Sequence, residues 1–234
     1  MITVNCIDIT SIDNNNFKFL RNSVTKERGM KADRYYFLDD SKRCICAELL
    51  LQYSLFQAFN RFVEIDIIYN IYGKPYLKNI KEFLYNISHS GKWVVIAYGC
   101  TEVGIDIEKI QENRCNITNS FFTKEEELFI QTINKKERAK RFTQMWTLKE
   151  SYIKYLGTGL FTSLDSFSIN IIDGIVTNKQ GSIQTDINMI SYLYSNDYYL
   201  SVCSRENKLA MNVVEIEDLM KFVNNIKSLQ IKSQ

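Results

Sequence analysis

Val103-Gly104-Ile105-Asp106-Ile107-Glu108 reads as a strand whose two faces differ in chemistry. Side chains alternate along a strand, so Asp106 and Glu108 share one face while Ile105 and Ile107 point the other way, into a core. Two carboxylates side by side repel each other, and a bound cation relieves the repulsion. Magnesium suits such a pair, because it takes oxygen ligands and is commonly held by one or two carboxylates with phosphate oxygens and water. From Asp-x-Glu alone the plainer reading is an exposed strand face with solvated acids. The stretch also opens a second half of the chain. Two helices follow it, one starting at Thr123 and one running from about Glu137 to Leu156. Strands then follow near Phe167 to Ile172, Gly174 to Thr177 and Tyr198 to Cys203.

The first half has the same outline. Met1 to Asp8 reads as a strand, and Asn14 to Lys31 is polar with Phe17, Leu20 and Val24 at helical spacing. Asp40 and Ser41 offer a helix start, and Cys44, Ala47, Leu51, Leu55 and Phe59 form its apolar stripe. Ile65 to Ile71 reads as a β-branched strand, and Tyr72-Gly73-Lys74-Pro75 as a turn around the only proline. Trp93 to Tyr98 is an apolar strand, joined to Val103 by a hairpin turn over Gly99 to Glu102. Strand, helix, helix, strands thus occurs twice. The expected fold class is α+β: two similar lobes related by a pseudo-two-fold, each a small, mostly antiparallel sheet packed with helices, with the active site in the cleft between them. The expected divisions are residues 1–102 for the N-terminal lobe, 103–220 for the C-terminal lobe and 221–234 for a tail. No proline-rich or glycine-rich linker separates the halves, which predicts a tight interface.

Of the 234 residues, 45% are apolar and 24% charged, the balance of a soluble globular protein. A net charge of only +2 argues against a general nucleic-acid binder. No apolar run approaches the length of a membrane-spanning helix. The N-terminus lacks a basic-then-apolar signal pattern, so a cytoplasmic location is expected. Six cysteines are scattered without a Cys-x-x-Cys pair, which reads as reduced, mostly buried thiols. His89 is the one histidine, which excludes a multi-histidine metal site.

Other segments carry chemistry with two readings each. Met145, Leu148, Tyr152 and Leu156 make the apolar face of a helix on which Glu150 and Lys154, four apart, share another face. This is a surface ion pair, or Glu150 is a third acid near a metal and Lys149 and Lys154 are phosphate clamps. Gly157 and Gly159 end the helix in a flexible turn. Thr123 and Glu126 form a capping box, which accounts for Glu126 structurally. Asn86-Ile87-Ser88-His89-Ser90-Gly91 reads as a polar turn able to hold an anion. Arg28, Lys31, Arg43 and Lys74 are solvated surface unless they converge on one cleft.

Taken together, these pieces resemble the 4'-phosphopantetheinyl transferases, of the two-lobed kind typified by the surfactin-synthetase activator. The motifs stand in family order: Tyr72-Gly73-Lys74-Pro75, Tyr85-Asn86-Ile87-Ser88-His89-Ser90-Gly91, Gly104 to Glu108, Phe121-Phe122-Thr123 with Glu126, and Trp146 with Lys149-Glu150-Ser151 and Lys154. Leu164-Asp165-Ser166-Phe167 is also similar, and the resemblance covers roughly residues 1 to 205.

The resemblance implies that 4'-phosphopantetheine moves from coenzyme A to a serine of an apo carrier protein, peptidyl or acyl, releasing adenosine 3',5'-bisphosphate. It implies magnesium held by Asp106, Glu108 and Glu150, with manganese able to substitute. Coenzyme A contacts fall on Lys74, Ser88, His89, Lys149 and Lys154, with Arg28, Lys31 and Arg43 at the 3'-phosphate end. Glu150 is the leading base, directly or through a water, and Asp106 and Lys154 complete the catalytic set. The chain departs from the family where Gly29-Met30 interrupts a basic segment, at Tyr85, where phenylalanine is common, and over Ile110 to Ser120, which helps hold the carrier in relatives. The family often serves nonribosomal peptide or polyketide biosynthesis, antibiotics among its products. A pseudo-dimer of lobes needs no partner subunit, so a monomer is expected, with neither nucleic acid nor membrane as partner. A metal-dependent phosphoesterase and a non-catalytic coenzyme A-binding module remain the alternatives from the residues themselves.

Overall fold

The computed structural model of the chain describes residues 1–112 and 121–232. Strand β1 (Ile2–Asp8) leads into α1 (Asn14–Arg21), α2 (Lys26–Ala32) and the long α3 (Leu38–Phe59). A short hairpin, β2 (Ile67–Tyr69) and β3 (Pro75–Leu77), precedes β4 (Leu84–Ser90), β5 (Trp93–Gly99) and β6 (Val103–Lys109). The second half carries α4 (Lys124–Gln131), the long α5 (Lys135–Leu156), β7 (Phe167–Ile169), β8 (Val176–Asn178) and β9 (Ile183–Gln184). It ends with β10 (Asn188–Tyr194), β11 (Tyr198–Ser204), β12 (Leu209–Val213) and α6 (Ile216–Lys232). Among the described residues no helix is long and apolar enough to cross a membrane.

The two halves share a plan. Each sets a short helix, capped by Thr25 or Thr123, before a helix of 22 residues. In each, the third residue of the short helix pairs with the long helix, with the charges exchanged: Arg28 with Glu48, and Glu126 with Lys149. The expected single polar helix over 14–31 is broken in two, because Glu48 of α3 accepts from both the backbone N–H and the hydroxyl of Thr25 and so fixes a new helix start there.

Two sheets face each other. One has the order β12-β1-β5-β4 and the other β10-β11-β6. Alternation along β5 sends Val94, Ile96 and Tyr98 into the core against α3, and Trp93, Val95 and Ala97 into a second core shared with Ile105, Ile107, Leu200 and Val202 of the facing sheet. A third core gathers Phe142, Met145, Leu148 and Tyr152 of α5 over β7 and β8. The core between the sheets makes the inter-lobe interface a packed, apolar joint.

Three expectations are corrected. Gly99 to Glu102 is not a hairpin turn: β5 pairs with β1 and β4, β6 pairs with β11, and the turn carries the chain from one sheet to the other. Asn86 to Ser90 is strand, not turn, paired with β5 from Asn86↔Ala97 to Ser90↔Trp93. Residues 209–226, expected in the second lobe and the tail, return to the first. There β12 adds a parallel strand to β1, and Asn212 donates to Asn5, which itself donates to Ser54 and Gln57 of α3. Phe222 of α6 then stands edge-on to Tyr53 of α3 at 5.3 Å.

Candidate active site

β4 and β6 are the touching edges of the two sheets, and they share no main-chain ladder. Instead the side chains of Asn86, Ser88 and Ser90 accept the backbone N–H groups of Ile105, Ile107 and Lys109 at 3.1, 3.4 and 3.1 Å. On its other side β6 presses against α5 through Gly104, where a Cβ would lie 1.9 Å from the Ser151 carbonyl oxygen. Only glycine permits that approach. It brings the acidic face of β6 onto the helix face that carries Glu150 and Lys154.

Asp106 is 4% exposed, and its Oδ1 accepts from Ser88 Oγ at 2.8 Å and from Lys154 Nζ at 2.7 Å. Lys154 also donates to Ser88 Oγ and to the Ile105 carbonyl. One ammonium thus joins both lobes. Glu108 Oε2 accepts from Ser90 Oγ at 2.7 Å. Burial and the Asp106 carboxylate push the Glu150 carboxyl above its ordinary range; Lys154 pulls it back, and Glu108 adds a weaker push. Asp106, Glu108, Glu150, Ser88 and Lys154 are therefore brought together.

The donor set fits a hard divalent cation. Asp106 Oδ2 is buried and has no hydrogen-bond partner, an arrangement that costs free energy unless something positive meets it. Among the described residues no three His, Cys, Asp or Glu side chains close a cage by themselves. Water and substrate phosphates would therefore have to complete the shell of a magnesium ion held here.

The basic residues divide. On the opposite face of β4 from Ser88, the His89 imidazole is held below its ordinary pKa by desolvation and then by the Arg43 and Lys154 cations. Arg43 is tied to Asp40 and to the Gly91 carbonyl. Arg28 and Lys31 line a groove of about 520 Å³ together with Pro75, Tyr85, Asn86 and Ile87. The groove thus runs from the α2 cations to the strand that touches Asp106. Two other cavities, of about 670 and 710 Å³, lie at α6 and between α4 and β8, away from the acids.

Two lysines are elsewhere engaged. Lys149 is fully buried, ion-paired with Glu126 at 2.8 Å and donating to the carbonyls of Leu164 and Phe167. It faces the second lobe's core and cannot reach a ligand in the cleft, which corrects its reading as a phosphate clamp. Glu126 makes the expected capping box with Thr123 and also accepts from the Ile169 N–H. The Lys74 ammonium is 5% exposed and spends its three donors on Glu102, the Val103 carbonyl and the Tyr155 carbonyl, so it ties the hairpin to β6 and α5 instead of offering charge to a phosphate.

Ser90, Glu48, Asp40 and Glu102, none of them a site candidate from the sequence, each hold a site or cleft residue in place. For Ser90 the signal was present: Asn86, Ser88 and Ser90 alternate as one strand face. Residues 113–120, expected to help hold a carrier, lie outside the described residues.

Comparison with known proteins bears on residues 12–203. Residues 102–203 match the family described as the 4'-phosphopantetheinyl transferase superfamily, and residues 12–101 match the 4'-phosphopantetheinyl transferase N-terminal family. The 4'-phosphopantetheinyl transferase gsp of Aneurinibacillus migulanus is 38% identical over 68% of this chain and 67% of its own. The 4'-phosphopantetheinyl transferase Sfp of Bacillus subtilis (strain 168) is 32% identical over 77% of this chain and 82% of its own. The 4'-phosphopantetheinyl transferase psf-1 of Bacillus pumilus is 30% identical over 88% and 91%.

Proposed function

The chain belongs to the 4'-phosphopantetheinyl transferase superfamily, and from that premise we propose that it moves 4'-phosphopantetheine from coenzyme A to a serine of an apo peptidyl or acyl carrier protein, with adenosine 3',5'-bisphosphate as the other product. The observation that carries this reading is the buried, unpartnered Asp106 Oδ2 at the junction where Ser88 of one lobe meets Lys154 of the other.

In this reading the diphosphate of coenzyme A sits over the β4–β6 junction and its nucleotide end lies in the groove beside Arg28 and Lys31. The carrier serine oxygen attacks the phosphorus nearer pantetheine, and the bond from that phosphorus to the bridging oxygen breaks. The serine proton goes to Glu150, directly or through a water. Negative charge grows on the leaving phosphate. Lys154 stands closest to the acids and the Arg43 guanidinium at the end of β4; together they offset that charge without moving, and His89 adds to them once a bound anion raises its pKa. Asp106, Glu108 and Glu150 would hold magnesium, or manganese in its place, and the ion would supply further positive charge at the diphosphate.

The protein would work as a cytoplasmic monomer, with residues 1–102 and 103–203 forming the two walls of the cleft. Its carriers would belong to nonribosomal peptide or polyketide synthesis, antibiotic pathways among them. Release of adenosine 3',5'-bisphosphate from coenzyme A, followed by chromatography with and without apo-carrier, tests the reaction. Release that needs the carrier is expected. Equal release without any carrier would make the protein a phosphoesterase.

A further inference from the structure

The contact between β4 and β6 repeats with a fixed offset. Asn86, Ser88 and Ser90 stand opposite Gly104, Asp106 and Glu108, and each accepts the N–H of the residue that follows: Ile105, Ile107 and Lys109. At two of the three rungs the same hydroxyl then donates onward to an acid, Ser88 to Asp106 at 2.8 Å and Ser90 to Glu108 at 2.7 Å. At the third rung the residue opposite Asn86 is Gly104, which has no side chain to orient, and a carboxamide suffices there.

A serine hydroxyl has one proton and rotates freely unless its lone pairs are engaged. At Ser90 the Lys109 N–H engages one of them, which leaves the proton aimed at Glu108 Oε2. The Glu108 side chain has several rotatable bonds and stands at a partly exposed position, so a hydrogen bond that fixes its carboxylate narrows the orientations it samples. Ser88 reaches Asp106 and Ser90 reaches Glu108, so the facing lobe contacts both carboxylates.

We propose that Ser90 is a positioning residue that sets the Glu108 carboxylate for the divalent cation, so that docking of the first lobe on the second completes the metal-binding set. This rests on the reading of Glu108 as a ligand. Partners one shell out from a metal typically change its affinity by about 10- to 100-fold when removed.

The test is Mn²⁺ binding to the full chain, read by electron paramagnetic resonance with coenzyme A present, for Ser90→Ala, Ser90→Cys, Ser90→Thr and Glu108→Ala. Ser90→Ala should raise the Mn²⁺ dissociation constant by about 10-fold or more. Ser90→Cys keeps the size but donates weakly, and should be nearly as impaired if the alanine variant folds poorly. Ser90→Thr retains the hydroxyl and should recover most of the affinity. Coenzyme A binding measured in chelator should match the wild type in the three Ser90 variants. If Ser90→Ala and Ser90→Cys bind Mn²⁺ as the wild type does while Glu108→Ala binds it weakly, Ser90 does not position the ligand and the proposal fails alone. If Glu108→Ala also binds normally, the ligand reading of Glu108 fails and takes the proposal with it.

Discussion

Lys149→Met separates the two roles this lysine could have. The Lys149 ammonium donates to Glu126 at 2.8 Å and to the carbonyls of Leu164 and Phe167 at 2.8 and 2.6 Å, all in a fully buried setting. Methionine keeps most of the stem volume and deletes the charge. Glu126 is then left buried with two backbone N–H partners, Thr123 and Ile169, and no counter-charge. Removing one partner of a buried pair costs about 3–5 kcal/mol. At roughly 2–4 °C per kcal/mol for a chain of this size, the melting midpoint should fall by about 6–20 °C. The loss exceeds the ~1 kcal/mol expected for half a capping box, so Glu126→Ala should be costly as well. Glu126→Gln combined with Lys149→Met removes both charges and should recover part of the loss. Urea unfolding followed by tryptophan fluorescence, run as a double-mutant cycle, measures the coupling, and Trp146 of α5 against Phe121 reports locally. The KM for coenzyme A should stay unchanged in whatever fraction is folded. A Lys149→Met protein within about 1 kcal/mol of wild type whose coenzyme A KM has risen about tenfold would refute this reasoning and return Lys149 to the ligand.

Gly104→Ala should cost about 1–3 kcal/mol or more, because the new Cβ would meet the Ser151 oxygen at 1.9 Å, and a denaturation curve with an activity assay should show transfer lost before the fold is. His89 is the one histidine, so its imidazole signals in an NMR titration belong to a single residue; the free protein should titrate below the ordinary value, and adenosine 3',5'-bisphosphate should raise the midpoint, since an anion favours the charged ring. Glu150→Gln at saturating coenzyme A and carrier should lower turnover by about 10²- to 10⁴-fold with no rescue by added magnesium if Glu150 is the base, whereas recovery at high magnesium would reduce it to a ligand.

The acidic strand was legible because its two faces differ: Ile105 and Ile107 enter the core between the sheets, and Asp106 turns to the helix. The long helices were legible from their apolar stripes. The ends that depend on distant partners were not. β12 pairs with β1, and the N-terminal amine of Met1 meets Glu206 across 205 residues, which no local pattern announces. The polar strand β4 reads as a turn because its serines look solvated; their partners are the exposed edge of β6, supplied by the fold. Lys74 and Lys149 look like phosphate ligands in a basic motif. Whether such a lysine faces a cleft or a core depends on where Glu102 and Glu126 arrive, and sequence spacing does not say.

The most direct test of the account is intact-protein mass spectrometry of a panel of apo-carriers incubated with coenzyme A, magnesium and the wild-type or the Asp106→Ala protein. The account predicts that at least one carrier gains the mass of a single phosphopantetheinyl group with the wild type and that none does with Asp106→Ala. A carrier modified equally by Asp106→Ala, or left unmodified while the wild type hydrolyses coenzyme A, would contradict it.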